Sequence, residues 1–339
     1  MGVTTNIAWC HHTFNGWRGC TKVSPGCKHC YAEALSRRNP AIFGEWGPGG
    51  TRVVASEAMW RQPLAWDRAA KRDGVRRRVF YGSLSDWLED WDRMIVDANG
   101  FALATRYGTW PWEPLERNPE SVSFRRLTMD DVRVRLLTLI AQTPNLDWLL
   151  LTKRPDHWSD AIEAVHQYGT FGSEAERIAR RWLDGVPPEN VWVGASVEDQ
   201  RMTNDRIHHL LLIPAKVRFL SVEPILGPVD LEQVDRRTGY GSAWTDSLRG
   251  RLYSVSPGST NQQPFRDVPK IDWVIVGGES GPNHRPCQVK WITDVVEQCR
   301  RACVPVFVKQ DSGPRPECQG HIPDWAWACK EVPDVRRMG

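Results

Sequence analysis

Short apolar runs recur along the chain, and each ends in polar residues. Runs of this length that are rich in β-branched or aromatic residues are typical of buried strands. We predict strands at 79–81, 149–151, 191–193, 217–220, 274–276 and 304–308. Apolar residues at helical spacing predict helices over 31–38, 130–142, 173–183, 201–212 and 291–302. The alternation of strand and helix indicates an α/β fold with a parallel sheet.

Two stretches, 94–126 and 231–270, show no clear strand or helix period. The first is interrupted by glycines and prolines, and the second is rich in Gly, Ser, Arg and Gln. We interpret both as long loop insertions within a single domain that spans residues 1–339. Insertions of this length often form lids or binding loops. A solvated surface excursion is the alternative.

The composition excludes several classes of protein. The 339 residues are 41% hydrophobic and 25% charged, which excludes wholesale disorder. No apolar run reaches the length of about 18 residues that a membrane-spanning helix needs, and the first residues do not resemble a secretory signal. We therefore expect a cytoplasmic protein with no membrane partner. The net charge of +3 neither demands nor excludes a nucleic-acid partner.

Polar side chains follow each predicted strand directly. The sets lie at 82–86, 152–155, 196–199, 221–224, 277–281 and 309–310. Because the carboxyl ends of parallel strands share one edge of a sheet, or ring one mouth of a barrel, we expect these residues on the side where ligands bind. Every strand must end in polar residues, but six ends with clustered Ser, Glu, Asp, Lys and Arg favour a ligand site.

Three of the nine cysteines, Cys20, Cys27 and Cys30, lie within eleven residues. The odd total argues against a secreted disulfide framework. Thiolates bind soft metals, and a turn at Ser24-Pro25-Gly26 would bring Cys20 back towards the other two. A structural zinc needs a fourth ligand, whereas an iron–sulfur cluster with one open iron needs only three. The candidates for a fourth ligand are His11, His12, His29 and Cys10.

Ordered motifs cover nearly the whole chain outside the two insertions. They are WRGCTKVSPGCKHCYAE at 17–33, LTKRP at 151–155, VWVGASVE at 191–198, FLSVEP at 219–224, DWVIVGGESG at 272–281 and VFVKQ at 306–310. In this order they resemble a phage-associated, radical-SAM-like three-cysteine family of unknown function. The resemblance implies a partial (β/α) TIM-like barrel of the radical-SAM type.

The resemblance also implies a cofactor. Cys20, Cys27 and Cys30 would hold a [4Fe-4S] cluster, and the amino and carboxylate groups of S-adenosylmethionine (SAM) would chelate the fourth iron. Reduction would then release a 5′-deoxyadenosyl radical, which abstracts a hydrogen atom from the substrate. The first gap of six residues departs from the usual Cys-x3-Cys-x2-Cys spacing.

Roles for other residues follow from the same resemblance. Ser83, Ser85 and Asp86 stand where the superfamily carries its Gly-Gly-Glu motif, and they would hold the methionine ammonium. His29 stands where the superfamily usually carries an aromatic residue beside the adenine. The Gly-Gly-Glu letters at 277–279 follow a much later strand, so we interpret that match as coincidental.

Charged residues at three other strand ends complete the predicted site. Lys153 and Arg154 are candidates for binding the methionine carboxylate, since Arg pairs with carboxylates in a bidentate manner. The alternative for both is a solvated helix start. Glu198 and Glu223 are candidates for binding ribose hydroxyls or the substrate. The alternatives for these glutamates are a helix N-terminus or a buried ion pair.

The remaining cysteines give weaker signals. Cys299 and Cys303 stand four residues apart on a predicted helix, and we expect both in the core. Cys287, Cys318 and Cys329 are too irregularly spaced to favour a second cluster.

Two features could contact nucleic acid. Trp110 and Trp112 are candidates for stacking on an unpaired base, with core packing as the alternative. The run Arg76-Arg77-Arg78 is a candidate for phosphate contacts, with a solvated helix end as the alternative.

Three hypotheses remain. The first is a radical-SAM enzyme that acts on an unknown substrate, with a nucleotide or nucleic-acid base as the expected class and a ferredoxin or flavodoxin as electron donor. It would work in the cytoplasm of a bacterium or of a phage-infected host cell. The second is a non-catalytic nucleic-acid-binding protein that contains zinc or an iron–sulfur cluster. The third is a SAM-binding or iron–sulfur protein without radical chemistry.

Overall fold

A computed structural model describes residues 5, 7–106, 110–117, 124–236, 242–255 and 264–335. Parts of the two predicted insertions, 107–109, 118–123, 237–241 and 256–263, lie outside the described residues. The helices are α1 Tyr31–Arg38, α2 Pro40–Phe43, α3 Glu57–Asp73, α4 Met129–Gln142, α5 Trp158–Tyr168, α6 Glu174–Leu183, α7 Gln200–Leu212, α8 Val289–Arg301 and α9 Asp324–Trp327.

The strands fall into one large and three small sheets. The large sheet contains β1 His12–Phe14, β4 Arg77–Tyr81, β9 Leu146–Thr152, β10 Val191–Ser196, β11 Val217–Val222, β16 Trp273–Gly277 and β17 Val306–Gln310. The small sheets contain β2 Trp17–Arg18, β3 Arg52–Val54 and β5 Ile95–Val96; β6 Leu103–Arg106, β7 Glu113–Pro114 and β8 Phe124–Arg126; and β12 Val234–Arg236, β13 Ser242–Asp246, β14 Arg251–Val255 and β15 Pro264–Asp267.

The large sheet confirms the predicted α/β class and all six predicted strands. Its order is β1-β4-β9-β10-β11-β16-β17, and the sheet is parallel, as in the registers of β1 with β4 and of β16 with β17. Each strand therefore pairs with the next large-sheet strand along the chain. A doubly wound sheet reverses its order at a switch point, whereas this order is compatible with a partial (β/α) barrel.

The chain divides into two compact units, and the division falls within β10 after Trp192. The first unit comprises 1–23, 30–192 and 214–216. Its helix α4 begins at a capping box, in which Thr128 accepts from the Asp131 amide and Asp131 accepts from the Thr128 amide. Trp148 of β9 is fully buried and meets Phe14 of β1 edge-on at 5.8 Å.

The second unit comprises 24–29, 193–213 and 217–339. This unit contributes strands β11, β16 and β17 to the large sheet. These strands are mostly buried, and every residue of β16 is buried. Helix α7 begins where the Asp199 side chain accepts from the Met202 amide, which places α7 directly after the polar end of β10.

Several elements differ from the sequence prediction. Helices α3 and α5 and strand β1 were not predicted, and the two inserted segments contain strands where no period was found. The strands of β12–β15 pair in antiparallel fashion, and all four residues of β15 are exposed, so its sequence carries no alternation of apolar and polar residues. Among the described helices, none is both long and apolar enough to cross a membrane.

Candidate functional site

Two buried charges of opposite sign meet at the carboxyl ends of β4 and β9. Arg154 Nη1 donates to Asp86 Oδ2 at 2.8 Å, and neither side chain is more than 8% exposed. Asp86 also accepts from Thr152 Oγ1 at 2.7 Å and from the Lys153 amide at 2.9 Å. The structure thus brings together two site residues that the sequence placed on separate strand ends.

The Asp86 carboxyl is held in its ionised form. Burial by itself would raise its pKa, but the charge of Arg154 and the hydrogen bonds from Lys153 and Thr152 outweigh burial, so the pKa is lowered. Burial opposes the charge of Arg154 too, yet Asp86 raises the pKa of its guanidinium. Asp86 and Arg154 therefore already balance each other's charge.

Arg154 also contacts the first cysteine of the motif. Its Nη2 donates to the Thr21 carbonyl at 2.7 Å, and its Nη1 lies 3.7 Å from Cys20 Sγ. Burial raises the pKa of the Cys20 thiol, as do the carboxylates of Glu89 and Asp86, whereas Arg154 lowers it. A cationic N–H beside sulfur stabilises a thiolate, so Arg154 is the group here that would favour a deprotonated, metal-binding Cys20.

A second buried ion pair fixes the residue after Cys20, and sequence reasoning missed it. Arg52 and Glu89 are 0% and 1% exposed and are joined by two N–H···O bonds of 2.7 Å. Glu89 accepts from the Thr21 amide at 2.7 Å, and Arg52 donates to Thr21 Oγ1 at 2.9 Å. Neither residue follows a predicted strand, so the sequence carries no signal that would have found this pair.

The predicted ammonium-binding serines have different surroundings. Asn15 Nδ2 donates to Ser83 Oγ at 3.0 Å, and the Tyr31 hydroxyl donates to the Ser83 carbonyl. The Ser85 hydroxyl is buried and has no partner among the described residues. Lys153 is half-buried, and its ammonium forms no ion pair within the described ranges. Since buried polar groups are nearly always hydrogen-bonded, the Ser85 hydroxyl calls for a partner that the described residues do not supply.

In the second unit, a buried glutamate supports the turn before Cys27. Glu198 is fully buried, pairs with Arg206 at 2.9 Å and accepts from the Gly26 amide at 3.0 Å. A Cβ atom at Gly26 would lie 3.0 Å from the Glu198 carboxyl carbon, so this close approach favours glycine. The structure therefore shows the buried ion pair that was the alternative to a ligand-binding Glu198.

His29 contacts a glutamate that the sequence analysis had set aside. His29 Nδ1 lies 3.1 Å from Glu279 Oε2, and Arg285 donates to both Glu279 oxygens through Nη2 at 2.6 Å and Nε at 2.9 Å. Arg285 Nη1 also donates to the Pro25 carbonyl at 3.0 Å. Burial would raise the Glu279 pKa, but Arg285 and His29 lower it to about 2. Its position directly after β16 was the signal for Glu279.

Glu223, at the end of β11, lies close to a lysine from another strand. Its Oε1 is 3.0 Å from Lys309 Nζ, and its Oε2 accepts from Ser221 Oγ at 3.3 Å. The carboxylate is 12% exposed, in contrast to the fully buried Glu198. Glu198 and Glu223, the two predicted site glutamates, both lie in the second unit, and each has a cationic partner.

The three motif cysteines fit the donor set of an iron–sulfur cluster in their chemistry. All are free thiols, and none is fully exposed or fully buried. Cys20 and Cys30 belong to the first unit and Cys27 to the second, and α1 begins directly after Cys30 as predicted. Across the described part of the chain, no group of three or more His, Cys, Asp or Glu side chains is arranged to hold a metal ion.

Other expectations for cysteine and arginine have mixed outcomes. Cys299 is buried as predicted, but the prediction of a core Cys303 is wrong. Cys303 is exposed because α8 ends at Arg301, and its backbone is left-handed with φ of 54°.

The arginine run at 76–78 does not end a helix, and all three side chains already donate to groups of the protein. Arg76 donates to Asp147, Arg77 to Asp73 and Arg78 to the Trp9 carbonyl.

Comparison with known proteins gives one match. The model of the family described as "Protein of unknown function (DUF5131)" matches residues 4–100 and 117–319 of the chain. These ranges contain the three motif cysteines and the residues predicted to bind SAM, but not Trp110 and Trp112. No curated protein and no solved structure matches the chain.

Proposed function

The chain belongs to this DUF5131 family, and we propose, from its cysteine motif and not from the family match, that it is a radical SAM enzyme. Cys20, Cys27 and Cys30 hold a [4Fe-4S] cluster, within a partial barrel of the radical-SAM type. The substrate class is a nucleotide or nucleic-acid base, and a ferredoxin or flavodoxin supplies the electron. We further propose a phage association and a cytoplasmic location. These assignments rest on the sequence motifs and on the chemistry of the residues below.

The observation that carries the proposal is the environment of the cysteine motif. Three free thiols lie within eleven residues of continuous chain, which is the ligand number of a cluster with one open iron. Arg154 directs an N–H at Cys20 Sγ, and Thr21 beside it is fixed by a buried ion pair. Outer hydrogen bonds of this kind orient metal ligands and tune the metal.

A cluster held by Cys20, Cys27 and Cys30 would supply one electron to the SAM sulfonium, and cleavage of its C5′–S bond would give methionine and the 5′-deoxyadenosyl radical. The protein's task is to hold the amino acid end of SAM. Asp86 and Arg154 already satisfy one another, so Lys153 and Ser85 carry more of this role than the sequence analysis gave them. The Lys153 ammonium, which forms no ion pair with the described residues, suits a carboxylate, and the buried Ser85 hydroxyl can accept from an ammonium.

The glutamates of the second unit have two roles in this proposal. Glu198 is a positioning residue, because its carboxylate holds the Gly26 amide and is itself neutralised by Arg206. Glu223 remains a candidate for ribose or substrate hydroxyls, since part of its carboxylate is accessible beside Lys309.

Anaerobic purification and metal analysis test the proposal. We expect about four irons and four sulfides per chain, and 5′-deoxyadenosine after addition of dithionite and SAM. Cys27→Ala should lose both cluster and product. Cys303→Ala is the matched control, because this exposed cysteine lies outside the motif and should leave both unchanged.

The same experiment separates the alternatives. About one zinc without iron, and no SAM cleavage, would favour the zinc-containing nucleic-acid-binding protein. Iron and bound SAM without 5′-deoxyadenosine would indicate a protein without radical chemistry. Unchanged SAM cleavage in Cys27→Ala would overturn the ligand assignment.

A further inference from the structure

The first unit contains a cavity of about 280 Å³ between α3, α4 and the segment that begins at Trp110. Trp60, Trp110 and Leu139 supply apolar wall, and Arg61 and Gln142 supply polar groups at its rim. None of these residues belongs to the site described above. Ligand pockets in proteins are typically about 300–1,000 Å³, so the cavity suits a ligand at the small end of that range.

A buried cation holds the aromatic wall in place. The Arg135 guanidinium carbon lies 4.4, 5.5 and 4.9 Å from the ring centres of Trp60, Trp110 and Trp112. Arg135 also donates to both oxygens of Glu57 at 2.7 Å. The rings are therefore oriented before any ligand arrives, and the charges of Arg135 and Glu57 cancel.

Two observations indicate what the cavity accepts. Trp60 is 3% exposed, and its indole N–H, like that of Trp112, is buried with no acceptor in the part of the chain that the structure describes. Neither nitrogen has accessible surface, and Trp112 does not line the cavity, so these N–H groups are not offered to a ligand and the exposed face of Trp110 is the aromatic group that is. After the Arg135–Glu57 pair is set aside, the charge that lines the cavity is the exposed Arg61.

We propose that this cavity binds a nucleotide. The base stacks on Trp110, which lines the cavity and is 38% exposed. The phosphate pairs with Arg61, which follows Trp60 on α3. A flat aromatic ring that carries one anionic group is the chemistry that an exposed tryptophan face and one cation together recognise.

The proposal does not rest on the radical SAM assignment. Trp110 lies in the stretch 101–116, which the family model does not match, so the cavity wall lies partly outside the family's shared sequence. The nucleotide could be free or could be an unpaired residue of a nucleic-acid strand, since both present the same base and phosphate. The experiment below distinguishes these two sources.

Fluorine NMR of the full chain labelled with 5-fluorotryptophan tests the proposal directly. The probes are AMP, CMP and a single-stranded oligothymidylate of about ten nucleotides, within the usual site size of such binders. The Trp110 signal is identified by its absence in Trp110→Phe, and it should shift on titration. Trp110→Ala should weaken binding about 5- to 150-fold, and Trp110→Phe should retain most of it.

Two further variants sharpen the test. Arg61→Ala should weaken binding and reduce its salt dependence. Trp325→Ala should bind as the wild type, because Trp325 is 40% exposed and lies 4.9 Å from Arg300 but lines no part of this cavity. Cys27→Ala should also bind as the wild type, which separates this proposal from the cluster assignment.

The outcomes are distinct. Equal affinity for the mononucleotides and the oligonucleotide supports a free nucleotide, and tighter binding of the oligonucleotide supports a nucleic-acid strand. The proposal is overturned if no probe shifts the Trp110 signal or if Trp110→Ala binds unchanged. Displacement of the nucleotide by SAM would also overturn it, because the cavity would then be the cofactor's own adenosine site.

Discussion

Replacing Glu89 with glutamine removes one charge from the ion pair behind Cys20. The side chain keeps its size, but the Arg52 guanidinium, 0% exposed, loses its counter-ion at two contacts of 2.7 Å. Breaking a fully buried pair costs roughly 3–5 kcal/mol of unfolding free energy, because one charge stays buried without compensation. Arg154 lies 3.6 Å from Glu89 and loses part of its compensation too, so we expect the upper part of this range.

Urea unfolding measures this loss as a lower midpoint at an unchanged slope. Asp294→Asn is the matched control. It breaks the Lys290–Asp294 pair, which is 2.6 Å long with side chains 75% and 36% exposed. Its expected cost is roughly 0.3–0.5 kcal/mol. Replacing both Arg52 and Glu89 with methionine should recover a large part of the loss, since neither charge of this pair then remains buried. A Glu89→Gln variant as stable as Asp294→Asn would refute the reasoning.

Two further predictions concern stability. His11 accepts from the Arg78 amide through Nδ1 at 2.8 Å, and burial and then the charge of Arg78 lower its pKa from 6.5 to about 4. The neutral His11 imidazole therefore contributes its full stabilisation above pH 6.5, and this stabilisation is lost as the pH falls towards 4. The urea midpoint should fall over the same range, and His11→Asn should make that fall smaller. Gly26→Ala places a methyl group 3.0 Å from the Glu198 carboxyl and should cost roughly 1–3 kcal/mol. Gly49→Ala, with nothing within 4 Å, should cost less than about 0.5 kcal/mol; equal midpoints would contradict the close approach.

The large sheet was predictable because its signal is local. Each of its buried strands except β1 contains a short apolar run, and the parallel arrangement follows from the helices between them. Helix α3 was missed although it buries Trp60, Pro63 and Ala70 at helical spacing. Pro63 inside the helix and the polar residues between these positions hide the period from a sequence pattern.

The sequence identified most residues of the candidate site but not the contacts between them. The strand-end rule found Asp86 and Arg154, but their pairing joins residues 68 positions apart and depends on tertiary packing. The same holds for His29 and Glu279, 250 positions apart, which no local pattern connects. Cys303 was misplaced because a helical period was extended two residues beyond the end of α8.

The turn around Cys27 has a consequence for the timing of synthesis. Gly26 bonds to a carboxylate 172 positions later, and His29 bonds to one 250 positions later. The parallel strands of the large sheet pair with their neighbours in chain order and can form as they leave the ribosome. The turn is among the first residues made, but its contacts are complete only after Glu279, in the last third of the chain, has been made. If Cys27 binds the proposed cluster, it would therefore gain these supports only after translation is nearly complete, and premature termination would leave the thiol without them.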